Sequence, residues 1–170
     1  MRVLFFITIV CFASVPLMSQ VNQNCASFYL IRHAEKIRSN TADKNPSLNS
    51  DGLARAEKWI EVFKNVKIDK IFSTELHRTT ETVIPIAKSR DLEINYYAPS
   101  KSFYLNFFQY NIGKSVLVVG HSNTTPQFVN TLIGENHYKE IEDNNNSNLY
   151  IVQKCSFEKP IHTLLYIDSK

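Results

Sequence analysis

Val116-Leu117-Val118-Val119-Gly120-His121 is the stretch that indicates the fold most clearly. Its four consecutive apolar residues, three of them β-branched, predict a strand buried on both faces, as in the centre of a parallel sheet. Beyond it, Thr124 can cap a helix, Pro126 fits the first helical turn and Gly134 can end the helix. A buried strand followed at once by a helix indicates an α/β protein.

The rest of the chain alternates between the same two kinds of element. Predicted strands cover residues 27–31, 68–72 and 92–97, and residues 149–152 with 161–167 are predicted to close the fold as a hairpin. Predicted helices cover residues 50–63, with Asn49 or Ser50 as the cap, 78–88 and 103–110. We therefore expect a three-layer α/β/α sandwich with a mostly parallel central sheet.

The first residues have the composition of an export signal. Met1 and Arg2 precede an almost unbroken apolar run over residues 3–13, and a polar segment begins at Ser19. A run of this length is typical of a secretory signal peptide, whereas a membrane span needs about 20 apolar residues. We expect a signal peptide over residues 1–19, a domain over 25–170, export to the periplasm or beyond, and no stable membrane span after cleavage. A signal retained as a membrane anchor is the alternative.

Cysteine content and charge limit the possible partners. Cys25 and Cys155 remain after cleavage, and in an oxidising compartment they either pair or stay as two reduced thiols. Neither lies near another candidate ligand in the sequence, so we expect no zinc site. The formal net charge is +3, and no run of Lys or Arg forms a stripe suited to nucleic acid. We therefore expect no nucleic-acid partner.

Two histidines and two arginines lie where predicted strands end. Arg32 and His33 follow the first strand, His121 follows the strand quoted above, and Arg78 lies where a helix begins. Ligands of such sheets bind beyond the carboxyl ends of the strands, and helix starts attract anions. If these ends converge, the guanidinium groups can bind phosphoryl oxygens. A neutral His33, held through one ring nitrogen by an acceptor such as a backbone carbonyl, can then attack phosphorus, and a protonated His121 would donate to the charged oxygens.

Four motifs carry a resemblance to a known family. Arg32-His33-Ala34-Glu35 looks like an Arg-His-Gly/Ala signature, and residues 48–56 look like the helix entry that follows it. Residues 73–82 match a Ser-x-x-x-x-Arg-Thr pattern, and Gly120-His121-Ser122-Asn123 supplies the last motif. The four motifs occur in family order, and together they resemble the histidine phosphatase superfamily, also called the phosphoglycerate mutase-like fold.

The resemblance implies a phosphatase that needs neither a metal nor an organic cofactor. It implies that His33 becomes phosphohistidine, that Arg32 and Arg78 hold the phosphate, and that His121 completes the catalytic pocket. The expected substrate-binding residues are Arg32, Arg78, Glu35 and Asn123. The implied partner is a small phosphorylated substrate or a phosphoprotein.

The chain departs from larger family members in its lack of an obvious acid. Those members carry an acidic proton donor either in an insertion after the second arginine or directly after the second histidine, but here Ser122 follows His121. Between Arg78 and Gly120 the carboxylates are Glu81, Asp91 and Glu93, none in an obvious insertion loop. We hypothesise that the proton comes from water, Glu35 or His77, and that easily expelled leaving groups are favoured. Small members that resemble this chain in lacking the acid include protein phosphohistidine phosphatases.

Three other functions fit parts of the pattern. A metal site built from His33, His121 and Glu35 is disfavoured because the two arginines would repel a cation. A module that captures phosphorylated ligands without turnover would carry the same binding residues, although an intact His33 argues against it. A phosphoglycerate mutase-like phosphotransferase is the third alternative, and the missing acid and the export signal weigh against it.

Overall fold

The computed structural model describes residues 24–168, so the predicted signal peptide lies outside the described residues. The strands are β1 (Cys25–Arg32), β2 (Lys70–Ser73), β3 (Ile94–Tyr96), β4 (Ser115–Gly120), β5 (Asn148–Cys155) and β6 (Ile161–Tyr166). They form one six-stranded sheet in the order β3-β2-β4-β1-β5-β6. The first four strands pair in parallel, whereas β5 and β6 form the predicted antiparallel hairpin.

Helices cover both faces of the sheet. They are α1 (Ser50–Val62), α2 (His77–Arg90), α3 (Lys101–Phe107) and α4 (Thr124–Ile133). Because side chains alternate along a strand, Phe28 of β1 packs in the core with α3 and α4, whereas Ile31 packs in a second core with Trp59 of α1 and Val83 of α2. The three-layer α/β/α architecture is thus confirmed. Within residues 24–168, no helix has the length and apolar character needed to cross a membrane.

Local capping explains where the element boundaries differ from the predictions. The α3 helix begins two residues earlier than expected because the Ser100 hydroxyl accepts a hydrogen bond from the Phe103 amide, at 3.2 Å. A separate 3₁₀ turn over Gln109–Asn111 follows this helix. The α4 helix is capped by Asn123 rather than Thr124, and it ends as expected at Gly134, whose φ is 77°.

A disulfide joins the two ends of the paired strands β1 and β5. Cys25 and Cys155 lie opposite each other in the antiparallel register, and their sulfur atoms are bonded. Of the two alternatives left open by the sequence, the structure has the paired one. The bond closes a loop with a sequence separation of 130 residues, which strongly restricts the unfolded chain.

We expect the double substitution of Cys25 and Cys155 by Ser to lower the free energy of unfolding by about 2–5 kcal/mol. Urea denaturation of the domain over residues 25–170 measures this change. Dithiothreitol should cause the same loss in the parent protein and none in the double variant. Equal urea midpoints for the parent and the double variant would show that the bond does not stabilise the fold.

Candidate active site

The carboxyl ends of the parallel strands gather the predicted catalytic residues. His33 follows β1, His121 follows β4, and Thr74 follows β2, which lies on the other side of β4. The His33 amide donates to the carbonyl oxygen of Gly120 at 3.0 Å, which ties the first strand end to the second. The two imidazole rings lie with their centroids 5.5 Å apart. Two histidines that are 88 positions apart in the chain therefore face one small volume.

The His33 ring is held in the tautomer that a nucleophile needs. The ring is buried, and its Nδ1 lies 2.7 Å from the carbonyl oxygen of Ala34. Because a carbonyl oxygen only accepts, Nδ1 carries the proton and donates it, and the lone pair of Nε2 is left free. The neighbouring backbone is itself fixed, since the Ala34 amide donates to the Thr82 hydroxyl at 2.9 Å.

Both histidines are neutral near neutral pH. Burial is the main reason that the pKa of His33 falls to about 3, and the charge of Arg32 lowers it further. Burial likewise lowers the pKa of His121 to about 4, with Arg78 as the next cause. His121 is therefore neutral, whereas the sequence suggested a protonated ring. Its Nε2 instead makes a hydrogen bond with the Thr74 hydroxyl at 2.9 Å.

The low pKa of His33 predicts a specific dependence of stability on pH. An unfolded histidine binds a proton near pH 6.5, but the folded His33 stays neutral until about pH 3. As the pH falls from 6.5 towards 4, the unfolded state gains a proton that the folded state does not. The free energy of unfolding therefore falls, by at most about 1.4 kcal/mol per pH unit for this residue.

We expect His33→Asn to make this decline shallower, because the variant no longer has the group that titrates differently in the two states. Urea denaturation of the parent and the variant between pH 7 and pH 4.5 measures the two slopes. Carboxylates contribute equally in both proteins, so they cancel in the comparison. Identical slopes would contradict a depressed pKa at His33.

Arg78 supplies hydrogen-bond donors that nothing in the described chain uses. It is the second residue of α2, and its Nε and Nη1 atoms are buried without a hydrogen-bond partner among residues 24–168. Burial lowers the pKa of this guanidinium, and the nearby charge of Arg32 lowers it further. A buried cation without an acceptor is costly, so its donors are set for an anion that enters the site.

Arg32 is held in place by the loop that precedes β5. Its Nη1 donates to the carbonyl oxygens of Glu142, Asp143 and Asn145 at 2.9, 3.1 and 3.0 Å. Its Nη2 donates to the Asp143 carboxylate at 2.9 Å, while its buried Nε has no hydrogen-bond partner among the described residues. Arg38 also binds this carboxylate, at 2.6 Å, and the two arginines lower the pKa of Asp143 to about 2. The loop therefore fixes the guanidinium of Arg32 and leaves Nε for a ligand.

The same loop holds the backbone of His33. Asn146 is buried, and its side-chain amide donates to the His33 carbonyl oxygen at 2.7 Å. Residues 142–146 are not among the site residues predicted from the sequence. Their run of asparagines is typical of an exposed turn. The one sequence feature that could have indicated a role for Asn146 is its position shortly before a predicted strand.

We expect Asn146→Ala to lower kcat about tenfold or more while KM changes little, because the His33 loop loses a buried hydrogen bond worth about 1–3 kcal/mol. Steady-state kinetics with an activated phosphate ester gives both constants. Asn144→Ala, at an exposed position two residues earlier, is the matched control and should behave like the parent. An unchanged kcat in Asn146→Ala would remove this residue from the positioning of His33.

The structure gives two of the predicted substrate-binding residues other partners. Glu35 forms an ion pair with the buried Arg55, at 2.7 Å, and Arg55 also donates to the carbonyl oxygen of Ile167. This pair anchors the loop after His33. The Asn123 side chain is exposed, and its oxygen accepts from the Thr124 amide at the start of α4. Direct substrate binding by Glu35 or Asn123 stays a prediction.

Lys36 adds to the site a positive charge that was not predicted from the sequence. Its half-buried ammonium lies in the field of Arg78, Arg38 and Arg32, and burial followed by these charges lowers its pKa. It also contributes to the low pKa of His121. Within residues 24–168, no group of three or more His, Cys, Asp or Glu side chains is arranged to hold a metal ion. The positive charges of Lys36, Arg32 and Arg78 favour the binding of an anion in the site.

Comparisons with known proteins agree with this geometry. The model of the histidine phosphatase superfamily (branch 1) matches residues 28–98, which include the first three motifs. No curated protein matches the chain significantly by sequence.

Solved structures of the same fold cover most of the chain. The protein histidine phosphatase SixA in complex with tungstate has a TM-score of 0.67 and 15% identity, over 82% of this chain and 96% of that one. A candidate phosphohistidine phosphatase SixA from Agrobacterium tumefaciens has a TM-score of 0.62 and 21% identity, over 82% and 97%. A phosphoserine phosphatase from Entamoeba histolytica in complex with 3-phosphoglyceric acid has a TM-score of 0.59 and 16% identity, over 84% and 97%.

At identities of 15–21%, the structural similarity establishes the fold alone. The motifs are separate evidence, at the level of sequence, for the resemblance to the family. Together, the family model over residues 28–98 and the shared phosphoglycerate mutase-like fold confirm the predicted resemblance to the histidine phosphatase superfamily and support a phosphatase of that type.

Proposed function

We propose that this chain is an exported, metal-independent phosphatase that transfers a phosphoryl group from its substrate to His33 and then to water. The observation that carries the proposal is that the Nε and Nη1 donors of Arg78 are buried without a hydrogen-bond partner among the described residues, beside two neutral histidines. These donors, together with the buried Nε of Arg32, favour a dianionic guest. The SixA structure with tungstate, a tetrahedral oxyanion, is a complex of that chemical kind on the same fold.

The first step forms a bond between His33 Nε2 and phosphorus while the bond from phosphorus to the leaving atom breaks. The leaving atom takes the electron pair, and water supplies its proton where the leaving group needs one. Arg78 Nε and Nη1, with Arg32 Nε, donate to the phosphoryl oxygens as they gain charge. In the second step a water molecule attacks the phosphohistidine, inorganic phosphate leaves, and His33 returns to its neutral form.

Export is supported by the disulfide, because such bonds persist in oxidising compartments. The signal-like composition of residues 1–19 points the same way. Location is tested by fractionating cells that produce the full chain. Protein found in the cytoplasm with its first 19 residues attached would overturn this part of the proposal.

Turnover of an activated phosphate distinguishes the enzyme from a capture module. We expect p-nitrophenyl phosphate and a phosphoramidate to be hydrolysed through many cycles, in the presence of EDTA, by the parent protein and not by His33→Ala. No product, or product limited to one equivalent per protein, would indicate capture without turnover. Activity lost in EDTA and restored by a divalent metal would overturn the metal-independent mechanism.

A further inference from the structure

A cleft of about 490 Å³ opens beside His121 on the side away from His33. Its walls are formed by the residues that follow β2, among them Glu75 and Leu76, and by those around the end of β3, from Tyr96 to Pro99. Apart from Thr74 and His121, the lining residues do not belong to the phosphate pocket described above. The cleft therefore extends the site beyond the phosphoryl group.

The strand order determines which part of a substrate can reach this cleft. Along the sheet edge the strand ends follow one another as β1, β4, β2 and β3, with neighbouring strands about 4.8 Å apart. His33 thus lies at one end of this row, His121 lies next to it, and the cleft lies at the other end. Phosphoryl transfer places the attacking and leaving atoms on opposite sides of phosphorus. The cleft, which lies beyond His121 from His33, is therefore within reach of a group expelled on the side of phosphorus opposite His33.

The lining of the cleft is apolar with a single carboxylate. Leu76 is half-buried, Tyr96 is 52% exposed, and Pro99 is exposed. Tyr97 forms a fixed wall, since it is buried, stacks on Phe103 and donates its hydroxyl proton to the Val119 carbonyl oxygen. Glu75 is the charged residue of this lining within the described chain, and it is exposed. The arginines and Lys36 that favour anions are not part of the lining.

We propose that this cleft is the leaving-group subsite and that it takes planar, apolar groups without negative charge, so that aryl phosphates are preferred over phosphate esters whose leaving group carries a free carboxylate. The inference rests on the proposed function and adds the substrate class. An aromatic ring between Leu76, Tyr96 and Pro99 leaves water for apolar surface. A leaving group with a carboxylate meets Glu75 instead and is repelled.

The chemical step is that of the proposed mechanism. The bond between His33 Nε2 and phosphorus forms, the bond from phosphorus to the phenolic oxygen breaks, and that oxygen keeps the electron pair. The phenolate then takes a proton from water, so the step requires no oxidant, reductant or further reactant.

Four substrates distinguish the contribution of the cleft to specificity from the reaction in the phosphate pocket. Acetyl phosphate has a small leaving group without a ring and reports on the phosphate pocket alone. Phenyl phosphate, 3-carboxyphenyl phosphate and 3-(aminomethyl)phenyl phosphate share a ring and differ in charge. We expect the parent protein to show kcat/KM for phenyl phosphate about tenfold or more above that for the carboxylate. The cationic substrate should equal or exceed phenyl phosphate.

Substitutions in the lining should change this ratio without abolishing turnover. We expect Glu75→Lys to raise kcat/KM for the carboxyphenyl substrate relative to phenyl phosphate about tenfold or more, whereas Glu93→Lys, an exposed control on another loop, leaves the ratio unchanged. Tyr96→Ala should lower kcat/KM for phenyl phosphate about tenfold and spare acetyl phosphate.

The two proposals fail in different ways. If the parent protein hydrolyses none of the four substrates, the proposed function itself is wrong. If acetyl phosphate and the aryl phosphates are all hydrolysed, but the substitutions at Glu75 and Tyr96 leave every ratio unchanged, the phosphatase stands and the leaving-group subsite is overturned. Loss of acetyl phosphate hydrolysis in Tyr96→Ala would also overturn it, since the residue would then act on the phosphate pocket.

Discussion

Replacing Arg78 with Met is expected to lower kcat/KM for a phosphate ester by about 10²–10⁴-fold while the folded protein becomes no less stable. The activity falls because two charge-assisted hydrogen bonds to the phosphoryl oxygens are lost, each worth about 1.5–3 kcal/mol. Stability is kept or raised because Nε and Nη1 are buried without hydrogen-bond partners among the described residues. Removal of such a group ends a desolvation cost. Steady-state kinetics and urea denaturation measure the two effects.

Arg90→Met on the same helix is the matched control. The Arg90 guanidinium donates to the carbonyl oxygens of Val66 and Phe63, so its loss should lower stability and leave kcat/KM near that of the parent. The two substitutions therefore act in opposite ways on the two measurements. A large loss of stability in Arg78→Met would mean that Arg78 is a structural residue with a partner in the resting protein.

His33→Ala is expected to reduce kcat by about 10⁴-fold or more, because it removes the atom that forms the covalent intermediate. The binding of inorganic phosphate should persist, since the arginine donors remain. Initial rates with p-nitrophenyl phosphate and calorimetric titration with phosphate measure the two properties. His137→Ala, which changes an exposed histidine outside the site, is the control and should keep the parent rate. A His33→Ala protein with more than one tenth of the parent rate would rule out His33 as the nucleophile.

Local patterns were sufficient to predict most of the fold. The apolar run over residues 116–119 became the buried strand β4, and Gly134 ended α4 in the left-handed conformation that favours glycine. Boundaries were less predictable, because a single hydroxyl such as that of Ser100 sets where a helix starts. The strand ends that carry Arg32, His33 and His121 followed from the same logic, since parallel strands place their carboxyl ends on one edge.

The supporting contacts of the site could not be predicted, because they join distant parts of the chain. Asn146 binds the carbonyl of His33 from 113 positions away, and Asp143 binds Arg32 from 111. No spacing in the sequence marks such pairs. The protonation state of His121 could not be predicted from the sequence either, because it depends on burial and on charges from several strand ends. Gly52 is a further case, because a side chain there would lie 2.1 Å from the Glu35 carbonyl oxygen, a contact visible only in the folded chain.

The central claim is that the phosphoryl group passes through Nε2 of His33. The most direct test is rapid mixing of the protein with p-nitrophenyl phosphate, alkaline quenching, digestion and mass spectrometry, with ³¹P NMR of the intact adduct to identify the nitrogen. The account predicts an acid-labile phosphoryl group on His33, attached at Nε2, that forms at a rate no slower than turnover. A phosphoryl group found on another residue would contradict the account. Turnover without any detectable adduct, under conditions in which dephosphorylation is slow, would also contradict it.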